Sequence, residues 1–426
     1  MLFMLICVLI IRAGSQIPIP GLDHEAIRSW FNAGNDGFRF MDILSGGSLS
    51  NMSIFALSIT PFISSSIIIE LLSVVFPTIA EWQKEGEDGR KKKANASKYI
   101  GLAVAGLQTA SMLVAFARRG LMDVKSLPII TTGVILMAGA SFLLWLGDRL
   151  TERGLGNGIS FILTVNIIAR IPDMIITLYE QFVKGQTIAK GTMAAVIILT
   201  LMFAVIAFVV LLESGERSIP ITNSSKSGTY FQRQGAGSSI PLKVNMAGVM
   251  PVIFAATILN IPGMIVQFTG TDNKVATTIS SFFTESSWFS GTHPWYTLGL
   301  VIEVALIFFF AFFYTDITFN PKEVADNLRK SGSMIPGIRP GKSTEDYLNG
   351  VLRGLIPIGA AGLAIITAVP LVLSGVFHAN TGMGGTSIII VTGVLLEIGK
   401  EIESEMAVRY STMNGFLAHN KGGIAK

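Results

Sequence analysis

Long apolar runs separated by polar stretches dominate the chain. Ten can be traced, at 2–13, 53–76, 99–116, 128–146, 159–179, 192–212, 246–269, 295–314, 350–373 and 384–399. Most approach the roughly 20 residues that a helix needs to cross a hydrocarbon core about 30 Å thick. Their apolar positions are continuous rather than alternating, so the pattern predicts membrane-spanning α-helices and not the strands of an outer-membrane barrel. The first run is short, with a rise of only about 18 Å, and is read as a helix whose start is missing from this chain. A signal peptide is disfavoured, because no basic stretch precedes the run and Arg12 follows it.

Composition narrows the class. Half of the 426 residues are hydrophobic and 14% are charged, against roughly 25% in an average soluble domain. A soluble multi-domain enzyme is excluded, as is a disordered or fibrous chain. The single cysteine, Cys7, lies within an apolar run, which leaves no disulfide framework and no thiolate metal site.

Charge then sets the topology. The loops after even-numbered runs, the C-terminal tail and Arg353 together hold 22 of the 32 Lys and Arg. The positive-inside rule places that side, and with it both termini, in the cytoplasm. The net charge is only +4, so the basic balance reflects loop placement and does not point to nucleic acid.

Three cytoplasmic loops are long, at 77–98, 213–245 and 316–349, and the first contains Gly89-Arg-Lys-Lys-Lys93. The other two are rich in Gly, Ser, Pro and scattered charge, without the periodicity of a packed domain. Two readings stand: docking surfaces for a ribosome, a motor or anionic lipid, or solvated linkers. On the other face, the segment 15–51 ends in Phe40-Met-Asp-Ile-Leu-Ser-Gly-Gly-Ser-Leu-Ser50. This stretch is too short to span and too apolar to sit free in water, which predicts a re-entrant or interfacial piece. Gly46 and Gly47 are read as its hinge. Five runs on each side of about residue 190 is the count of an inverted repeat, and each half has Pro in its second run (Pro61; Pro251 and Pro262).

Enzymatic chemistry finds no support. The four histidines, His24, His293, His378 and His419, are far apart, so no two-His zinc helix is present. There is no Gly-x-Ser-x-Gly elbow. Pro340-Gly-Lys-Ser-Thr344 looks like the end of a phosphate-binding loop, yet Pro336 stands where the first glycine is needed and no apolar strand precedes it. No cofactor and no nucleotide site are expected. A coupled solute carrier would place ionisable groups near mid-membrane. The candidates are Glu70, Arg170, Glu303 and Glu397, with Asn166 and Asn260. Glu70, Arg170 and Glu397 fall towards run ends, where water satisfies them; Glu303 is the internal one.

The second run mixes hydroxyls with Ile59, Ile63 and Ile67, which recur every four residues and so share a helical stripe. Small hydroxylated residues accompany close helix packing. The other reading is a helix lining an aqueous path, its isoleucines forming a constriction that gates by dewetting.

Several collinear blocks carry a resemblance. They are Ile17-Pro-Ile-Pro20, the stretch 53–69, Gly154-Leu-Gly-Asn-Gly-Ile-Ser160, the stretch 240–254, Pro336-Gly-Ile-Arg-Pro-Gly-Lys342 and the stretch 384–391. Together they make the chain similar to the SecY family, the central subunits of the bacterial Sec protein-conducting channel, over nearly its whole length. The resemblance implies an all-α polytopic membrane protein of ten transmembrane helices in two inverted five-helix halves, 1–190 and 191–426. It implies a pore ring of Ile59, Ile63, Ile159, Leu163, Ile253 and Ile390, with Leu163 where isoleucine is usual. It further implies a plug at about 40–50 that includes Phe40, Met41, Asp42, Ile43, Leu44, Ser45, Gly46 and Gly47. A lateral gate is implied between spans two and three and spans seven and eight, with Ser64, Gln108 and Ile261 at gate positions. The turn of Arg339, Pro340, Gly341 and Lys342 is implied as a docking site for a SecA motor or the ribosome. Small subunits resembling SecE and SecG, signal sequences, nascent polypeptides and membrane lipid complete the implied partners, in the bacterial cytoplasmic (inner) membrane.

The chain departs from that pattern in places. The family's amphipathic N-terminal segment is absent from it, and 222–239 lacks the basic run common there, which weakens the docking role of that loop. Glu70 stands where a neutral amide is frequent. Asn95 and Asn223 fit a glycosylation signature but lie on the cytoplasmic side, so both are expected to be unmodified. The reading is a channel that moves unfolded polypeptides across or into the membrane, driven by a partner. The alternative is a secondary transporter of a small solute, for which Glu303 is the discriminating residue.

Overall fold

The computed structural model describes residues 2–20, 22–32, 39–118, 120, 126–154, 156–182, 188–223, 239–269, 278, 282–283, 288, 294–376 and 385–422. The chain is mainly helical: α1 Leu2–Gln16, α2 His24–Asn32, α3 Arg39–Leu44, α4 Thr60–Val75, α5 Pro77–Lys84, α6 Glu87–Arg118, α7 Ser126–Arg153, α8 Gly158–Phe182 and α9 Ile188–Ser214. Short strands β1 Glu216–Pro220, β2 Thr222–Asn223 and β3 Ser239–Lys243 precede α10 Met250–Thr269. Then come α11 Leu298–Thr318, α12 Pro321–Lys330, β4 Ser333–Met334, α13 Lys342–Val376 and α14 Gly385–Gly422. Each of the ten apolar runs carries a helix. Among the described residues, four helical stretches are long and apolar enough to cross a membrane: Glu87–Arg118, Ile129–Arg153, Trp295–Lys330 and Lys342–Val372.

Helix starts differ from the run boundaries, and proline explains why. The second run was expected from residue 53, but Ser53 bridges to Pro18, 54–59 form turns, and α4 begins at Thr60 with Pro61 in its first turn. Pro251 likewise stands in the first turn of α10. A missing N–H is harmless there and the fixed φ suits the helix, so both prolines start a helix rather than interrupt one. Pro262 does lie inside α10, as Pro172 does inside α8.

The residues pack as two units, one drawn from Met1–Leu178, Gly263–Thr277 and Ile390–Lys426, the other from Tyr179–Pro262 and Thr278–Ile389. In the first unit α4 lies along α6. Gly101 leaves room for the Phe62 ring, where any Cβ would collide, and Ser65 and Ser66 each meet the Ser97 hydroxyl at 3.1 Å. The basic run 90–93, expected in a loop, lies on the N-terminal turns of α6, which continue into the third span. Glu70 also gains a reason: it receives the Lys93 ammonium at 2.8 Å, and both side chains are largely buried.

In the second unit the described parts of the long loops 213–245 and 316–349 are not linkers. β1 and β3 form an antiparallel ladder from Glu216↔Lys243 to Pro220↔Ser239, and β2 pairs with β4. Ile219, Leu242, Ile335, Leu348, Val351 and Leu355 make a buried apolar cluster beneath them. The sequence conceals this core because its members come from two loops more than 90 residues apart and one helix. Asn320 caps α12 by accepting from the Lys322 and Glu323 amides. Within the same unit, Phe254 of α10 meets Phe310 of α11 edge to face at 5.5 Å, and Trp288 packs with Leu259 and Leu371. Residues 224–238, which include most of the loop lacking a basic run, fall outside the described residues.

Candidate functional site

The segment after α2 is built from α3 and a series of turns. Asp42, Leu44, Ser45, Ser48, Leu49 and Ser50 are all buried. Gly46 and Gly47 do something more specific than hinge it. Both have positive φ, 68° and 81°. The Gly46 amide donates to the Ile43 carbonyl and the Gly47 amide to Asp42, the paired bonds that terminate a helix in the left-handed conformation. The end of the segment is fixed to the first loop: Ile19 donates to Met52 and Ile54 to Ile17, so Ile17-Pro-Ile-Pro20 pairs with the entry to the second span.

Side chains from α8 hold the segment. The Asn166 amide donates to the Leu44 carbonyl at 3.2 Å and to the Ser58 hydroxyl at 3.2 Å. Arg170 donates to Asp42 at 2.5 Å, and the other Asp42 oxygen accepts from the Ser50 amide at 2.8 Å. Arg12 of α1 reaches the Gly46 carbonyl at 3.5 Å. Arg170, read from sequence as an end-placed group satisfied by water, instead joins Asn166 in the contact of α8 to this segment.

The same contacts set the level of the apolar side chains. Ser58 and Asn166 touch, and from there α4 and α8 run antiparallel, because Ile159 lines a cavity with Phe62, Ser66 and Ile69. At ~1.5 Å per residue, Leu163 lies about 4.5 Å beyond Asn166 along α8, and Ile63 a similar distance into α4 from its start at Thr60. Ile159 falls about 10.5 Å beyond Asn166, roughly a turn deeper. It is half-buried in a 370 Å³ cavity whose rim carries the Glu70–Lys93 and Lys98–Asp148 pairs. Ile167, one turn past Leu163 and beside Asn166, is 3% exposed at the level of Ile59. Sequence reasoning missed it. Its signal was the four-residue step from Ile159 and Leu163, continued once more.

Ile390, in the first turns of α14, is buried with Ile388 and Ile389. In the second unit Ile253 is buried near the start of α10. Of the gate candidates, Ser64 bonds back to the Thr60 carbonyl at 3.2 Å. Gln108 is buried beside Met41 and Leu49 of the α3 segment. Ile261, one residue before Pro262, is exposed. Glu303 is wholly buried within α11.

The Arg339 turn forms an exposed tip. Ile335 is anchored in the apolar cluster, Gly341 has φ +100°, and the Thr344 hydroxyl donates to the Arg339 carbonyl at 2.9 Å. Arg339, Pro340 and Lys342 face outward. Pro340-Gly-Lys-Ser-Thr344 is thus the entry turn of α13, preceded by the two-residue strand β4.

Comparison with known proteins decides the family. The SecY family model matches residues 53–399. The protein translocase subunit SecY of Thermotoga maritima is 35% identical over 432 residues, covering 99% of this chain and 95% of that protein. Its counterpart in Streptomyces galbus is 38% identical, covering 98% and 96%. The chain belongs to the SecY family. A solved protein-conducting channel superposes with TM-score 0.63 at 15% identity, covering 95% of this chain and 91% of that one. A second, a SecY protein whose plug domain stabilises the closed state of the translocation channel and maintains a membrane seal, superposes at 0.64 with 16% identity and the same coverage. Both share the SecY fold with this chain.

Proposed function

We propose that this chain is the protein-conducting subunit of a translocase, passing unfolded polypeptides across the membrane and releasing apolar segments into lipid through a lateral gate. The observation that carries the reading is the largely buried 41–52 segment, pinned by Asn166 and Arg170 directly beside a level of branched apolar side chains. A segment in that position acts as a plug over a collar. On the first unit the collar consists of Ile59, Ile63, Leu163 and Ile167, with Ile390; the resemblance to the SecY family assigns Ile253 the same role. Ile159 lies below it, on the route in. Compliant apolar side chains seal around a sliding chain and, when closed, resist wetting. Ser64, Gln108 and Ile261 serve the gate, and Gln108 also faces the plug.

The chain makes and breaks no bonds, so force comes from a partner ATPase or a translating ribosome docked at the Arg339 turn, with small single-span subunits bracing the helices. Two inverted five-helix halves, and a bacterial cytoplasmic membrane with both termini inside, complete the proposal; the placement of the basic residues supports this orientation.

Crosslinking to a stalled secretory precursor tests it. With Cys7 replaced, single cysteines at Ile59, Leu163, Ile167, Ile253 and Ile390 should all crosslink, while lipid-facing positions such as Leu5 do not. Failure at every collar position in a folded, engaged complex would return the case to a solute carrier, in which Glu303→Gln should abolish transport. As a second check, Ile63→Asn should let water wet the collar and raise resting single-channel conductance. Unchanged conductance would remove Ile63 from the collar.

A further inference from the structure

Arg170 has two carboxylate partners. One is Asp42 of the plug segment, whose side chain is 5% exposed, at 2.5 Å. The other is Asp173, 3.4 Å away, one turn further along α8 and 65% exposed. Asp173 rides on the same helix as Arg170, so this second contact does not depend on where the plug is. The remaining polar contacts of α8 and α1 with the segment run to backbone carbonyls, from Asn166 to Leu44 and from Arg12 to Gly46.

We propose that Asp42, Arg170 and Asp173 form an exchange latch, in which Arg170 holds the plug shut through Asp42 and transfers to Asp173 when the plug leaves. The proposal rests on the channel reading above. Its physical basis is the penalty on an orphaned charge at a part-buried site, for the Arg170 side chain is 29% exposed. Removing one member of a buried pair is strongly unfavourable because the other is left uncompensated. Here the departing plug carries Asp42 into water, which solvates it, while Arg170 keeps a carboxylate already at hand. The arrangement therefore gives the closed state an ionic hold and still lowers the barrier to release. Without Asp173, the hold would remain and the release would be harder.

Opposite signs at the two aspartates are the test. Ser48 is buried, and its hydroxyl makes no hydrogen bond among the described residues, so Ser48→Cys in a Cys7→Ser background gives a reporter inside the plug segment. The full chain, reconstituted in vesicles with its single-span partner subunits, is treated with a membrane-impermeant maleimide at rest and during translocation. Asp42→Asn and Arg170→Gln should each raise the resting modification rate by about tenfold or more. The double variant should match a single one, because the two residues act through one contact. Asp42→Glu, which keeps the charge, should stay near the parent. Asp173→Asn should leave the resting rate low and slow both translocation and the translocation-dependent rise in modification. Resting rates unchanged in both single variants, or effects that multiply in the double, would overturn the latch. Asp173→Asn acting in the same direction as Asp42→Asn would overturn the exchange. If the parent shows no rise in modification during translocation, it is the channel reading that fails.

Discussion

Gly46 meets two constraints at once: a φ of +68°, and the backbone of Asn166 at 2.9 Å from the point where a Cβ would stand. An L-residue in the left-handed region costs about 1–2 kcal/mol, and the close approach adds to that, because a backbone atom of α8 would have to give way. Gly86 separates the two effects, since its φ is +71° but nothing lies near its missing Cβ. Gly46→Ala should therefore speed amide exchange across 39–52 by roughly tenfold or more, the equivalent of about 1.4 kcal/mol. Gly86→Ala should leave that segment unchanged. Equal behaviour of the two variants would mean that contact with Asn166 does not hold the plug. Met52 and Ser58 also adopt positive φ, 44° and 52°. Neither is glycine, so the entry to α4 stores conformational strain where the plug joins the second span.

At the scale of elements, the α4–α6 pair shows what a part-buried charge contributes. Glu70 sits among Phe62, Ile69 and Leu144 on the cavity wall, and Lys93 approaches it from the facing helix. Glu70→Gln should lower the denaturation midpoint by the equivalent of about 1–2 kcal/mol, because Lys93 is left in a half-dry groove. Adding Lys93→Gln should restore most of the loss. A double variant as unstable as the sum of the two singles would show that the residues act independently.

This pair also marks the limit of what was legible beforehand. The helices were readable because each membrane-crossing run carries its own signal, a length and an apolar content, with no need of a neighbour. Where the spans begin was less so, since Pro61 and Pro251 suit a first turn as well as a break. The pins on the plug were not legible at all. Leu44 and Asn166 are separated by 122 residues, and Asp42 and Arg170 by 128, so no local pattern records their meeting. The same reason hid the loop core of Ile219, Leu242 and Ile335. The stripe of Ile159 and Leu163 gives a face but not a depth; the depth of Ile167 comes from the contact between Ser58 and Asn166 beside it.

At the scale of the whole molecule, a channel driven by a partner, as proposed above, receives work through its surface. The Arg339 turn, proposed above as the docking site, suits that role, since its fold does not depend on its charges. Ile335 buries the base, Gly341 supplies the reversal, and the structural bond at Arg339 is the one its carbonyl accepts from the Thr344 hydroxyl. The guanidinium is left facing outward, free for an acidic partner surface. Reversing the charge should then weaken docking without unfolding the turn. Arg339→Glu should reduce partner-driven translocation by about tenfold at low salt, the size of effect a charge reversal has at an interface rim. Raising ionic strength towards 1 M, where the screening length is about 3 Å, should bring parent and variant closer together as both lose attraction. The comparison must be made at equal amounts of folded channel, with the resting conductance of both proteins unchanged. Normal translocation by Arg339→Glu at low salt would place the docking site elsewhere. A deficit that does not shrink with salt would mean that Arg339 acts through shape or hydrogen bonding rather than through long-range charge.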